Sequence, residues 1–151
     1  MQAVIIGEQQ RRLLALCAIR TEQGSVDWSL IAREAQFPGG VDALWEGRLQ
    51  EVGEVAERSR QVLCSGLEFP ENLFGRVERE LAAAEAVGAR LVTVLDPEYP
   101  ANLRLVANLP PFLFVRGDLQ EQDARAVAVV GTVTSQVGQR RPRRESVPPG
   151  M

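Results

Sequence analysis

The sequence predicts an α/β chain with helices first and strands after them, and the spacing of its apolar residues carries that prediction. Up to Gly88 these residues recur at helical steps of three and four. Beyond it they gather into short β-branched and apolar runs at 91–95, 112–115 and 127–130, punctuated by prolines and glycines. A length of 151 residues suits one ordinary domain or two small ones. With 45% hydrophobic and 25% charged residues the balance is that of a soluble globular protein.

Taken in order, Arg11 to Thr21 carries Leu13, Leu14, Cys17 and Ile19 near helical spacing, which predicts a first helix that Gly24 ends. Asp27 is placed to cap a second helix holding Trp28, Leu30, Ile31 and Ala35, closed by Phe37-Pro38-Gly39-Gly40. A short helical piece around Val41, Leu44 and Trp45 follows. Gly53 to Cys64, with Val55, Val62 and Leu63, reads as the next helix, stopped by Ser65-Gly66. Pro70 then suits a first helical turn, and Phe74, Val77, Leu81 and Ala84 line one face of the helix it starts. Gly88 is placed as its left-handed C-terminal cap. This helical region alone is small for a stable core.

Past Gly88 the period changes. Leu91, Val92, Val94 and Leu95 form a near-continuous apolar run, as expected of a strand buried on both faces. Asp96-Pro97-Glu98-Tyr99-Pro100 is a turn whose two prolines fix φ and restrict the residues before them. Leu103 to Ala107 fits one helical turn. Pro110-Pro111 forces extended backbone into a second strand at Phe112 to Val115, and Arg116-Gly117-Asp118 turns the chain out. Val127 to Val130 reads as a third strand. From Val133 on there is no apolar periodicity, and prolines at 142, 148 and 149 interrupt any helix, so the tail is expected to be disordered.

Several chemistries are excluded by residue type. The chain has no histidine, and Cys17 and Cys64 are each isolated, which removes zinc sites and imidazole acid–base catalysis. Both thiols are expected to be buried or half-buried on helices. Asp96 and Glu98 flank Pro97 and read as turn residues, not as a catalytic pair. Trp28 and Trp45 have apolar neighbours at helical steps and are expected in the core, not as base-stacking platforms. The net charge is −3, every basic residue is Arg, and four of them crowd the tail, so the body is more acidic still. Any nucleic-acid contact must therefore come from a local patch or the tail. No apolar run approaches the ~20 residues needed to cross a bilayer. The first residues lack the pattern of a signal peptide, so the cytoplasm is the expected location.

The segments DPEYPANL (96–103), LPPFLFVRGD (109–118) and AVAVVGT (126–132) resemble the DNA-processing protein A (DprA/Smf) family. Tyr99-Pro100 supplies a rigid corner with a ring to pack, Pro110-Pro111 starts a strand without ladder donors, and Gly117 permits a tight turn. The resemblance covers roughly residues 10 to 132. It implies a helical, sterile-alpha-motif-like domain at 1–88, the truncated start of a Rossmann-like domain at 89–132, and an Arg- and Pro-rich tail at 133–151. It further implies a non-catalytic role in natural transformation and recombination, in which single-stranded DNA is bound and the recombinase RecA is loaded onto it. No cofactor is implied. The family's dimer surface would lie in later motifs that this chain lacks.

In the family, the strand equivalent to Val127–Val130 leads into a glycine, a Ser or Thr and an arginine that together cradle a phosphate, as helix N-termini can. Gly131 and Thr132 match, while Val133 stands where the arginine is expected. The expected nucleic-acid-binding residues are thus Gly131 and Thr132 with Arg140, Arg141, Arg143 and Arg144. Loss of likeness at Val133, followed by Arg- and Pro-rich sequence, reads as a change of reading frame; the alternate frame of the encoding DNA would then restore the glycine-rich motifs. Two other function classes compete. One is a nucleotide hydrolase on a similar fold, which would need catalytic acids on a glycine-rich loop. The other is a helical module that docks a partner and binds no DNA.

Overall fold

A computed structural model of the chain describes residues 6–131. Their order is α1 (Glu8–Ala18), β1 (Arg20–Thr21), β2 (Gly24–Ser25), α2 (Trp28–Ala35), α3 (Gly40–Trp45), α4 (Glu54–Gly66), α5 (Pro70–Ala86), β3 (Arg90–Thr93) and β4 (Phe112–Val115). Single 3₁₀ turns lie at Leu103–Leu105 and Glu121–Arg125. The class is mixed helix and strand as expected, with five helices and two antiparallel two-stranded sheets among the described residues.

Helix α2 shows how local sequence sets an element. Asp27 is extended, at φ −75° and ψ 114°, and its Oδ1 accepts the Leu30 N–H at 3.0 Å. The Ser29 hydroxyl donates to the same oxygen at 2.7 Å. These bonds, the Ser29 hydroxyl first and the Leu30 N–H second, hold the Asp27 carboxyl below its ordinary value. Asp27→Ala is expected to cost about 1 kcal/mol of stability in urea titration, as for other N-caps. Because the folded-state pKa is depressed, the charged cap contributes in full above the ordinary carboxylate range. Its contribution fades as pH falls through the lowered folded value. Asp27→Asn keeps the cap and should flatten that part of the acid limb.

The first helix differs from its expectation. It stops at Ala18, because Ile19 turns extended at φ −60° and ψ 127° and buries its side chain completely. Arg20 and Thr21 then pair with Ser25 and Gly24 in a small hairpin. The Thr21 hydroxyl fixes its turn, accepting from the Gln23 N–H at 3.2 Å and donating to the Gly24 carbonyl at 3.1 Å. Helix α5 follows its expectation more closely, with Pro70 in the first turn and Gly88 left-handed at φ 70°.

The core is centred on α1, whose residues Leu13 to Ala18 are all buried. Its main cluster joins Leu13, Leu16 and Ile31 to Val92, Tyr99 and Leu109, so the segment after Gly88 completes burial that the helices alone cannot. A smaller cluster of Leu14, Ala15 and Val77 lies between α1 and α5. Glu34 is a buried charge, and it is satisfied: its carboxylate accepts the backbone N–H groups of Gln50 and Glu51, the latter at 2.7 Å. This bond ties the loop after α3 to α2.

Strands β3 and β4 pair antiparallel, with Leu91 opposite Phe114 and Thr93 opposite Phe112. The Val94 N–H donates to the Pro111 carbonyl at 2.9 Å, one step beyond the ladder. Val92 and Thr93 are buried and Leu91 half-buried, so β3 is covered on both faces over part of its length. The third expected strand is not formed. Val127, Val129 and Val130 are almost fully exposed, and the run pairs with no strand among the described residues. Composition suits this run to a sheet, but it takes up neither outer edge of the β3–β4 pair.

Candidate nucleic-acid interface

Of the six residues expected to bind nucleic acid, only Gly131 is described. It is exposed, and a Cβ added there would meet nothing within 4 Å. Thr132, Arg140, Arg141, Arg143 and Arg144 lie outside the described residues, as does the expected tail from 133. The structure places Gly131 at the end of an exposed apolar run.

The proline corner that carries the resemblance is ordered by its own side chains. Asp96 Oδ2 accepts from the Thr93 N–H at 2.6 Å and from the Thr93 hydroxyl at 2.8 Å, while Oδ1 accepts from Gln10 Nε2 at 3.1 Å. Glu98 pairs with Arg90 at 2.7 Å. Both acids are thus engaged in holding the turn, as the sequence implied. The Tyr99 hydroxyl donates to the Pro110 carbonyl at 2.6 Å, pinning the corner to the start of β4. Burial raises the Tyr99 hydroxyl above its ordinary value, and the neighbouring Arg104 opposes this.

Arg104 was not singled out by sequence, yet it is the hub of the corner. Its guanidinium lies 4.9 Å from the centre of the Tyr99 ring. One nitrogen donates to the Val94 carbonyl at 2.9 Å and to Gln36 Oε1 at 3.0 Å, and the other donates to the Asp96 carbonyl at 2.9 Å. A planar fork spreads its donors over acceptors set well apart, which the single nitrogen of a lysine cannot reach together. The arrangement is a rigid brace between the end of α2 and the exit of β3. Its polar groups are spent on the fold.

Other candidates also resolve into structure. An open cleft of about 610 Å³ is lined by Glu34, Phe37, Gly40, Arg48, Gln50 and Arg60. Its charges are already matched, Glu34 by backbone N–H groups, Arg48 by Glu46 and Arg60 by Glu57. Cys17 is buried, and burial pushes its thiol far above the ordinary range. Cys64 is exposed, against expectation, because it lies on the outer side of α4 while Val62 and Leu63 turn inward. Both cysteines are free. Among the described residues no group of acids or thiols is arranged to hold a metal ion, and no helix is long and apolar enough to cross a membrane.

The two tryptophans part company. Trp45 is half-buried, packed 5.5 Å from the Phe74 ring with Arg12 above it, in line with a core role. Trp28 is 42% exposed, which corrects its assignment to the core. It is the first residue of α2, and its indole N–H reaches back to the Cys17 carbonyl at 3.0 Å, so its ring lies over the end of α1.

Residues 90–145 match the family model described as DNA recombination-mediator protein A. The matched stretch begins at β3, includes the corner and β4, and continues through Gly131 to Glu145. It runs past Val133, where the likeness was expected to end, and it leaves the helices before residue 90 outside. No curated protein and no solved structure matches the chain.

Proposed function

We propose, from the recombination-mediator match of residues 90–145, that the chain acts in DNA processing by holding single-stranded DNA for a RecA-type recombinase, without covalent catalysis. That match is the observation that carries the reading. In it, residues 1–88 are a helical module and 89–132 the opening of a nucleotide-type fold. Residues 133–151 then form a basic arm in which Arg140, Arg141, Arg143 and Arg144 meet phosphates beside Gly131 and Thr132. Such contacts are sequence-blind and suited to a protein that must accept any incoming strand. A cytoplasmic location goes with this role.

Fluorescence anisotropy of labelled oligo-dT across a salt series tests it. Four phosphate contacts give a log–log slope of about −3, at roughly 0.7 per phosphate for a single strand. Replacing the four arginines by alanine should abolish most of that slope and weaken binding at low salt by more than tenfold. An unchanged slope would move the contact to the body of the chain, and absence of binding at low salt would overturn the reading. RecA recruitment is checked separately, by whether the chain shortens the nucleation lag of RecA on the same oligonucleotide.

A further inference from the structure

Three aromatic side chains meet at the surface where α1 ends, apart from the exposed Phe37 and Phe69. Trp28 is 42% exposed and Phe114 39%. Phe112, half-buried, lies between them, its ring centre 5.4 Å from Trp28 and 5.8 Å from Phe114. Phe112 and Phe114 are alternate residues of β4 and share one face of the strand. The chain has only two Trp, one Tyr and five Phe, so three rings in contiguous contact at one surface are not scatter.

The same surface carries cations. The Cys17 carbonyl that accepts the Trp28 indole N–H also accepts from the Arg20 guanidinium at 3.1 Å, and Arg20 donates to the Ile19 carbonyl at 2.8 Å. Arg76 arrives from α5 and reaches the Ala18 carbonyl at 3.5 Å. These donors offset the negative end of α1, which would otherwise repel phosphate. Arg20 is exposed and has no carboxylate partner among the described residues, whereas Arg76 shares its charge with Glu80 at 3.8 Å. Asp27, next to Trp28 in the chain, is committed to its helix cap.

We infer that Trp28, Phe112 and Phe114 form a stacking platform for the bases of single-stranded DNA, with Arg20 as the principal phosphate contact and Arg76 as a weaker one. Rings stack on any base, and a guanidinium beside them pairs with the backbone, the combination that single-strand binders use. The platform is a second contact, distinct from the basic arm, on the seam between the helices and β4. It rests on the reading that the chain binds single-stranded DNA.

The test uses the full chain. In a Trp45→Phe background Trp28 is the sole indole reporter, and oligo-dT should quench its emission over the same concentrations that raise the anisotropy of labelled oligonucleotide. Without that background, Phe114→Leu removes a ring and keeps apolar volume. Binding should weaken about tenfold while circular dichroism and the urea midpoint hold. Arg20→Gln should make the log–log salt slope shallower by about 0.7. If anisotropy reports binding while Trp28 emission and the Phe114→Leu affinity stay unchanged, the platform is wrong and the proposed function stands. If the chain binds no oligonucleotide by either readout, both fall.

Discussion

Gly40→Ala is expected to lower unfolding free energy by about 3 kcal/mol, the upper end for overpacking. A Cβ at this position would lie far inside contact distance of the Glu34 carbonyl oxygen, with the Glu34 and Ala35 carbonyl carbons at 3.0 and 3.1 Å. All three are backbone atoms of α2, so no rotamer change can relieve the clash; the two helices must separate. The neighbouring Gly39 provides the control. It is left-handed at φ 69°, yet a Cβ there meets nothing within 4 Å. Gly39→Ala should therefore cost only the conformational penalty, about 1 kcal/mol. Urea midpoints of the two variants check the contrast. Equal losses would mean that α2 and α3 do not approach so closely.

Local signals made α2 legible in the sequence because they agreed. Asp27 before the helix, apolar residues at steps of three and four, and a Pro-Gly-Gly break after it all describe one element. The β1–β2 hairpin was hidden because two-residue strands have no period to detect, and Arg20 and Thr21 follow directly on a helical pattern. Strands β3 and β4 were visible as short apolar runs bounded by Gly88 and Pro110-Pro111. Their register was not, because it is set by contacts remote in sequence: Tyr99 to Pro110, and Arg104 to Val94. The Val127–Val130 run shows the opposite failure, since composition favours a strand but supplies no neighbouring edge.

The candidate site divides along the same line. Gly131 and Thr132 were singled out through the order of motifs around them, a property of the chain alone. The exposure of Trp28 was missed because helical spacing assigns a residue to an element and says little about the first position. There the side chain lies over whatever precedes the helix. Here that is the end of α1, and the apolar neighbours that suggested burial belong to the inward face of α2, a face that begins at Leu30.

Arg104→Met should cost about 2–3 kcal/mol, although the side chain is only half-buried. The substitution keeps the apolar stem and removes the fork, leaving the Val94 and Asp96 carbonyls and Gln36 Oε1 without their donor. It also removes the cation from the Tyr99 ring, a contact of about 1 kcal/mol when partly desolvated. Arg104→Lys should recover less than half, since one ammonium cannot reach all three acceptors. Tyr99→Phe alone should cost about 1 kcal/mol through its bond to Pro110, and the double variant should lose less than the sum, because the residues share one contact. Amide exchange separates a local opening from a global one. The Val94 N–H, bonded to Pro111 just past the ladder, should exchange faster in Arg104→Met than the overall loss of stability explains, while Val62 and Leu63 in α4 follow the global change. Uniform acceleration at all these amides would show that Arg104 supports the whole core and not the corner that holds Phe112 and Phe114 beside Trp28.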